Sequence, residues 1–362
     1  MVRPLRRSDG FPGFNREFAG TADRGNYSAY FDLETDVSDA VLVGVAARYE
    51  NYEDFGGTLN GKLSTRWQLT ESFAWRGSIS TGFRAPTVGQ ANLVDVTSAF
   101  DDDGNLVNNA TLPPTHPASV TLGADPLEPE TALNFTGGPV FNIGDVGFTI
   151  DYYRIEMQDR ISLTRQADLT DEQRADLIAQ GAPGAAAIRT VRYFANDFDT
   201  TTQGIDFVTD YNTDHFGGET NFTLAATWND TSVESVTSSG IDTKRINQIE
   251  RNLPEFRGIL TAQHGWDSWQ FLARLRYYDS FLEYHADWVG WPIEAGSRTL
   301  MDAELGYTLK RGMRLVAGAQ NLFDTYPTEN PHARSSGARY PDSSPYGFSG
   351  GFYYLKVSLN LP

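Results

Sequence analysis

Cysteine is absent from the 362-residue chain. That excludes disulfide frameworks, thiolate metal sites and thiol nucleophiles together, while leaving the compartment open. No apolar run reaches the length of a transmembrane helix, so only strands, whose alternation gives weak hydropathy, could cross a bilayer. Basic residues are few: 29 Lys and Arg stand against 47 Asp and Glu, a net charge of −18. Nucleic acid is therefore not an expected partner, because phosphates need a basic footprint. The five histidines (His116, His215, His264, His285 and His332) show no helical pairing and no HExxH. No GxSxG and no Ser/His/Asp grouping is visible either. The chain reads as a non-enzyme with no cofactor and no metal. Asp101-Asp102-Asp103-Gly104-Asn105 has the look of a calcium loop, but the twelfth position is Leu112 where a bidentate Glu is required, so it reads as an acidic surface turn.

What is abundant is aromatic and glycine: 7 Trp, 17 Tyr, 22 Phe and 34 Gly. Period-two alternation runs through the chain. Val41, Val43, Val45, Ala47 and Tyr49 share one face; so do Trp269, Phe271, Ala273, Leu275 and Tyr277, with Gln270, Arg274 and Arg276 opposite. Near the end Tyr353, Leu355, Val357 and Leu359 lie on one side, and Lys356 and Ser358 on the other. Thirteen strands are expected, over 26–36, 40–52, 57–69, 72–82, 129–142, 146–160, 189–213, 219–230, 255–265, 268–281, 298–309, 312–322 and 350–361. The span 189–213 reads as one long strand or as two with a bulge. One helix is expected in a loop, where Thr170-Asp171-Glu172-Gln173 forms a capping box and Gly181 a stop.

The connections alternate between short and long. Turn formers fill the short ones, whereas most of the intervening ones are far longer. A sandwich has no reason to gather its long loops at one end; an outer-membrane barrel has short periplasmic turns and long extracellular loops. The aromatics Tyr49, Tyr52, Trp67, Trp75, Tyr152, Tyr153, Trp269, Tyr277, Tyr278, Tyr353 and Tyr354 then suit interfacial girdles. The fold class is all-β, an antiparallel transmembrane β-barrel with one short loop helix. Thirteen strands is an odd number, whereas single-chain bacterial barrels close with an even one.

Several segments carry a resemblance in ordered succession. Ser80-Thr81-Gly82-Phe83-Arg84-Ala85-Pro86-Thr87 resembles the GFRAP segment of TonB-dependent outer-membrane receptors. Pro129-Glu130 through Asn134-Phe135, Asp151–Ile161, Phe194-Ala195-Asn196 with Gly204-Ile205-Asp206, Gln320-Asn321-Leu322-Phe323-Asp324 and Ser344–Tyr354 are similar to later segments of the same family. The resemblance covers about residue 72 to the end. It implies a barrel of 22 strands filled by a plug, powered through the TonB complex and taking up iron-siderophore complexes or similar nutrients across the outer membrane of a Gram-negative bacterium.

By that resemblance the thirteen strands are the last ones of the barrel. No signal peptide, TonB box or plug is recognisable. The expected organisation is a loop segment over 1–25 and a partial receptor barrel over 26–362, a C-terminal fragment unable to transport alone. It meets outer-membrane lipid and a small nutrient ligand, and TonB only through the missing plug. The alternatives are a small passive porin-like channel and a soluble glycan-binding β protein. The ligand-binding candidates are the loop residues Tyr284, His285, Trp288 and Trp291, able to stack on a planar or chelate ligand, and the lumen residues Arg274 and Arg276, able to guide an anion or else to pair with carboxylates such as Asp151.

Overall fold

The computed structural model describes residues 20–100, 106–186, 188–214, 216–237, 241–285, 291–309 and 312–359, without the side chains of residues 99, 100, 106, 285 and 291. Thirteen strands form one antiparallel sheet in which chain order is spatial order. They are Asn26–Ser38, Val41–Tyr52, Gly56–Thr70, Phe73–Arg84, Glu130–Ile143, Val146–Leu163, Phe194–Thr213, Glu219–Val236, Phe256–Trp266, Trp269–Tyr278, Arg298–Thr308, Met313–Gln320 and Phe352–Leu359. All thirteen expected strands are present.

Four of the short turns contain two residues each: Asp39-Ala40, Glu71-Ser72, Gly144-Asp145 and Asp267-Ser268. Gly144 (φ 59°) and Asp267 (φ 47°) take the left-handed backbone that tight hairpins demand. The connections longer than five residues all leave from the other end of the sheet.

The pairing register places one set of side chains on a continuous outer face. Leu33 lies opposite Val45, Val45 opposite Leu63, Leu63 opposite Ile79 and Ile79 opposite Phe135. Across the other half the row runs Leu224, Leu260, Leu275 and Met301. Many of these side chains are exposed, Leu355 to 86%. Below them, beside the short turns, aromatic rings touch from strand to strand: Phe73–Phe141 and Phe141–Phe148 at 4.6 Å, Tyr211–Phe222 at 6.3 Å, Trp266–Trp269 at 6.2 Å and Trp269–Tyr307 at 4.6 Å.

The expected girdle needs one correction. Tyr52, Tyr153, Tyr278 and Tyr354 point to the inner face, because each is next in sequence to an outward residue and strand side chains alternate. Tyr153 and Tyr354 lie over Gly204 and Gly318 of neighbouring strands, where any Cβ would collide with the ring.

The first and last strands have no second neighbour among the described residues, and every residue of Asn26–Ser38 is exposed. Directions alternate in an antiparallel sheet, so strands one and thirteen run the same way. Pairing them with each other would require a parallel ladder.

Two expectations about the loops are corrected. The span 189–213 is two strands in different sheets, Ile188–Arg192 and Phe194–Thr213. The former belongs to a four-stranded sheet with Asp95–Phe100, Leu106–Thr111 and Ala167–Asp168, which joins two long loops. That sheet encloses an apolar core of Leu112, Leu169, Leu177, Ile188 and Val191 with small alanines. The helix Asp171–Ala179 forms as expected, capped by Thr170, and buries Leu177 there. It is not the lone helix: Val88–Asn92, Pro117–Thr121, Thr243–Arg251 and Ala333–Ser336 accompany it. Loop-to-loop contacts between distant segments stabilise these pieces, and no local periodicity announces them.

Candidate ligand-facing site

The long-loop end of the sheet is built on three polar knots. Glu130 is 2% exposed, and its Oε1 accepts from Arg84 Nη2 at 2.6 Å and from the Ile161 amide at 2.7 Å. The Asn196 side chain joins two loops, donating to the carbonyls of Glu128 (2.9 Å) and Asp159 (2.7 Å) and accepting from the Glu128 amide (2.8 Å). Asn321 and Asp324 both have positive φ. Asn321 exchanges two hydrogen bonds with the Thr325 backbone, and Asp324 accepts from the Gly351 amide at 2.7 Å. The motif residues Arg84, Glu130, Asn196, Asn321 and Asp324 thus fasten strand ends.

Three upper loops meet near Tyr284. The strands Phe281–His285 and Trp291–Ala295 form a hairpin whose register sets His285 opposite Trp291. Trp288 lies outside the described residues. Helix Thr243–Arg251 packs against this hairpin. Lys244 Nζ sits 5.4 Å from the centre of the Tyr284 ring, and Asn247 Nδ2 donates to the Tyr284 hydroxyl at 3.4 Å. Below it, buried Glu283 accepts the amides of Asp342 (2.9 Å) and Ser343 (2.6 Å), while the Ser343 hydroxyl lies between Glu283 and Asn252. Glu283 therefore ties the loop over 321–351 to the hairpin, a carboxylate satisfied by neighbouring N–H groups.

Arg274 and Arg276 face inward, as the alternation requires. Both are engaged: Arg274 Nε donates to Thr261 Oγ1 at 3.3 Å, and Arg276 Nη2 to Asp302 Oδ1 at 2.8 Å. The same Asp302 oxygen accepts the Asn321 amide at 2.9 Å. Asp151 pairs instead with Arg76, and it lies on the sixth strand of the sheet, four strands from Arg276 on the tenth. The carboxylate-paired alternative describes Arg276, although with a different carboxylate.

A second inward cluster lies away from the sequence candidates. Arg160, Thr202, Thr231, Arg245, Gln248, Ile249 and Asn252 line a cavity of about 350 Å³. Arg160 lies on the motif strand Val146–Leu163, and Arg245 in the long connection after Val236. They meet because helix Thr243–Arg251 folds back along strand Glu219–Val236, where Glu250 Oε1 accepts the Val233 amide at 2.9 Å. No local sequence signal marks that return.

Among proteins of known family, the chain matches the model described as TonB dependent receptor-like, beta-barrel, over residues 3–322. The chain belongs to this family. The match begins well before residue 72, where the motif resemblance starts. TonB-dependent receptors are transporters of the Gram-negative outer membrane rather than enzymes.

Solved receptors of the family share the fold at low identity. The siderophore receptor PirA from Acinetobacter baumannii is 16% identical, with a TM-score of 0.65, covering 98% of this chain and 49% of PirA. A mutant of the ferric enterobactin receptor PfeA from Pseudomonas aeruginosa is 14% identical, with a TM-score of 0.65 and coverage of 97% and 48%. The FrpB iron transporter from Neisseria meningitidis is 12% identical, with a TM-score of 0.59 and coverage of 92% and 44%. No curated protein matches the chain. The chain spans about half the length of the solved receptors it matches.

Proposed function

We propose that residues 26–362 form the C-terminal part of the barrel wall of a TonB-dependent uptake receptor, that the expected leading segment over 1–25, of which 1–19 lie outside the described residues, precedes it, and that its ligand is an iron-siderophore complex or a nutrient of similar kind. The carrying observation is the open thirteen-stranded sheet, with an apolar outer face and its long loops at one end. In hydrocarbon each unsatisfied edge N–H or C=O costs several kcal/mol. Two like-directed edges are satisfied together by an odd number of further strands, which the other half of a receptor would supply. A passive channel made of this chain alone would have to pair those edges in parallel. The sequence candidates Tyr284, His285, Trp288 and Trp291 of the connection over 282–297, and Arg274 and Arg276 on the inner face, are the residues of this wall that would meet the ligand. TonB would act through a plug carried by the other half.

The test is the native product in a fractionated envelope. The expected result is an outer-membrane protein with heat-modifiable migration, whose intact mass and N-terminus include additional strands or whose isolate contains a second polypeptide supplying them. Recovery of the chain as a detergent-free soluble monomer would overturn the reading.

A further inference from the structure

The edge strand Asn26–Ser38 presents two unlike faces beside its unpaired backbone. Tyr27, Phe31, Leu33 and Val37 are exposed and continue the apolar outer row. Asp32, Glu34 and Asp36 alternate with them, so three carboxylates share the inner face. The residues opposite them on strand Val41–Tyr52 are Ala46, Gly44 and Leu42, none of which carries a charge. Arg48 is the diagonal neighbour of Asp32, but Glu50 holds it. Lys62 and Arg66 lie one strand further in. Among the described residues no ion pair or side-chain hydrogen bond reaches the carboxylates of Asp32, Glu34 and Asp36. Further into the sheet, by contrast, Glu130 is held by Arg84 and Asp302 by Arg276, each from an adjacent strand, and Asp151 by Arg76 from two strands away. The edge carboxylates stand without a cation on the side where the sheet has no further strand.

We infer that strand Asn26–Ser38 docks an antiparallel strand of different sequence, with lysine or arginine pointing inward opposite Asp32, Glu34 and Asp36 and apolar side chains pointing outward. The inference rests on the receptor reading and adds to it the chemistry of the neighbouring strand. Main-chain hydrogen bonds along an open edge supply affinity, and alternate side chains supply specificity. Opposite charges directly across a strand pair are favourable and like charges unfavourable. A second copy of this chain does not fit. Through the same edge it would pair antiparallel only with its long loops turned to the other end, and a register centred on Glu34 would set carboxylates against carboxylates. Through its other edge, Phe352–Leu359, it would meet Asn26–Ser38 in parallel, because those two strands run the same way. Inward charge on an edge strand deters indiscriminate pairing, and here its sign selects a cationic partner.

The lack of native cysteine makes the edge addressable by disulfide capture. The full 362-residue chain carrying Leu33→Cys is refolded in detergent and mixed under mild oxidation with synthetic peptides of strand length. Each peptide has apolar outward residues, one cysteine set to fall opposite Leu33, and three inward residues that are all lysine, all glutamine or all glutamate. The expected result is capture of the lysine peptide roughly tenfold above the glutamate peptide, with glutamine between, and a gap that narrows as salt is added. Asp32→Asn, Glu34→Gln and Asp36→Asn together should abolish the preference. Glu34→Lys alone, a single change at an exposed edge position, should shrink it, which covers the case of a misfolded triple variant. Equal capture of the three peptides, capture of none, a preference indifferent to these variants, or disulfides between two copies that outcompete the lysine peptide would overturn the inference. Failure of the receptor reading would appear separately, as absence from the outer membrane.

Discussion

Arg84 and Glu130 close the long-loop end of adjacent strands with a 2.6 Å bond in which the carboxylate is buried and the guanidinium is mostly exposed. The two side chains are thus unequal partners. Loss of Arg84 leaves a buried carboxylate that still accepts the Ile161 amide. Loss of Glu130 leaves that amide without its acceptor while Arg84 returns to solvent. Glu130→Ala should lower stability by about 1–3 kcal/mol, the cost of an orphaned buried donor, with Glu130→Gln costing less because its amide oxygen still accepts. Urea unfolding of the detergent-folded chain measures both, and equal midpoints for wild type and Glu130→Ala would contradict the assignment.

Glu283 is expected to act on loops rather than on the sheet. Glu283→Ala frees the amides of Asp342 and Ser343, so the loop over 321–351 should be cut by a nonspecific protease at least several-fold faster. The strands should keep their far-ultraviolet circular dichroism. Unchanged cleavage rates would show that the loop is held by other contacts.

The loop domain should weaken in acid. His116 caps helix Pro117–Thr121, its Nδ1 accepting the Ala118 amide at 3.2 Å. Burial pushes its imidazole below the ordinary value of 6.5, against a smaller opposing pull from a Pro183 backbone hydrogen bond. A histidine with a depressed pKa is held neutral by the fold. Its contribution is complete above about pH 6.5 and is lost as pH falls from there through the folded value. Hydrogen exchange at the Leu112 and Leu177 amides, corrected for intrinsic rate, should lose protection over that window. His116→Asn, which caps without titrating, should flatten the dependence.

The two faces of one strand should answer differently to the same charge. Leu275 is 42% exposed on the outer face, and Leu272 faces inward beside Arg274. Leu275→Arg should cost about 2–4 kcal/mol if its row lies near the bilayer midplane and should reduce the membrane-assembled fraction. Leu272→Arg should leave that fraction nearly unchanged. Equal effects of the two variants would mean that the outer face is not the lipid face.

All thirteen sheet strands, the side on which the long connections lie, the capped helix at Thr170 and the family were legible in the sequence. Each rests on a local signal: alternation, turn residues, a capping box, an ordered set of short motifs. A period of two forces neighbours such as Tyr353 and Tyr354 to opposite faces, so even the division into outer and inner surfaces was present in the order of residues. What the residues Arg84, Glu130 and Asn196 do was not legible, because a motif marks a position and not its partner.

Only the tertiary structure decided the rest. The loop core of Leu112, Leu177 and Ile188 joins segments that are far apart in the chain, and none of them buries its apolar side chains alone. Glu283 acquires its amides from a loop about sixty residues downstream. Arg160 and Arg245 share a cavity because a helix returns over the strand that precedes it. Alternation specifies how neighbouring residues divide between two faces. Which distant residues meet on a face depends on how the long connections fold back, and no short-range pattern encodes that.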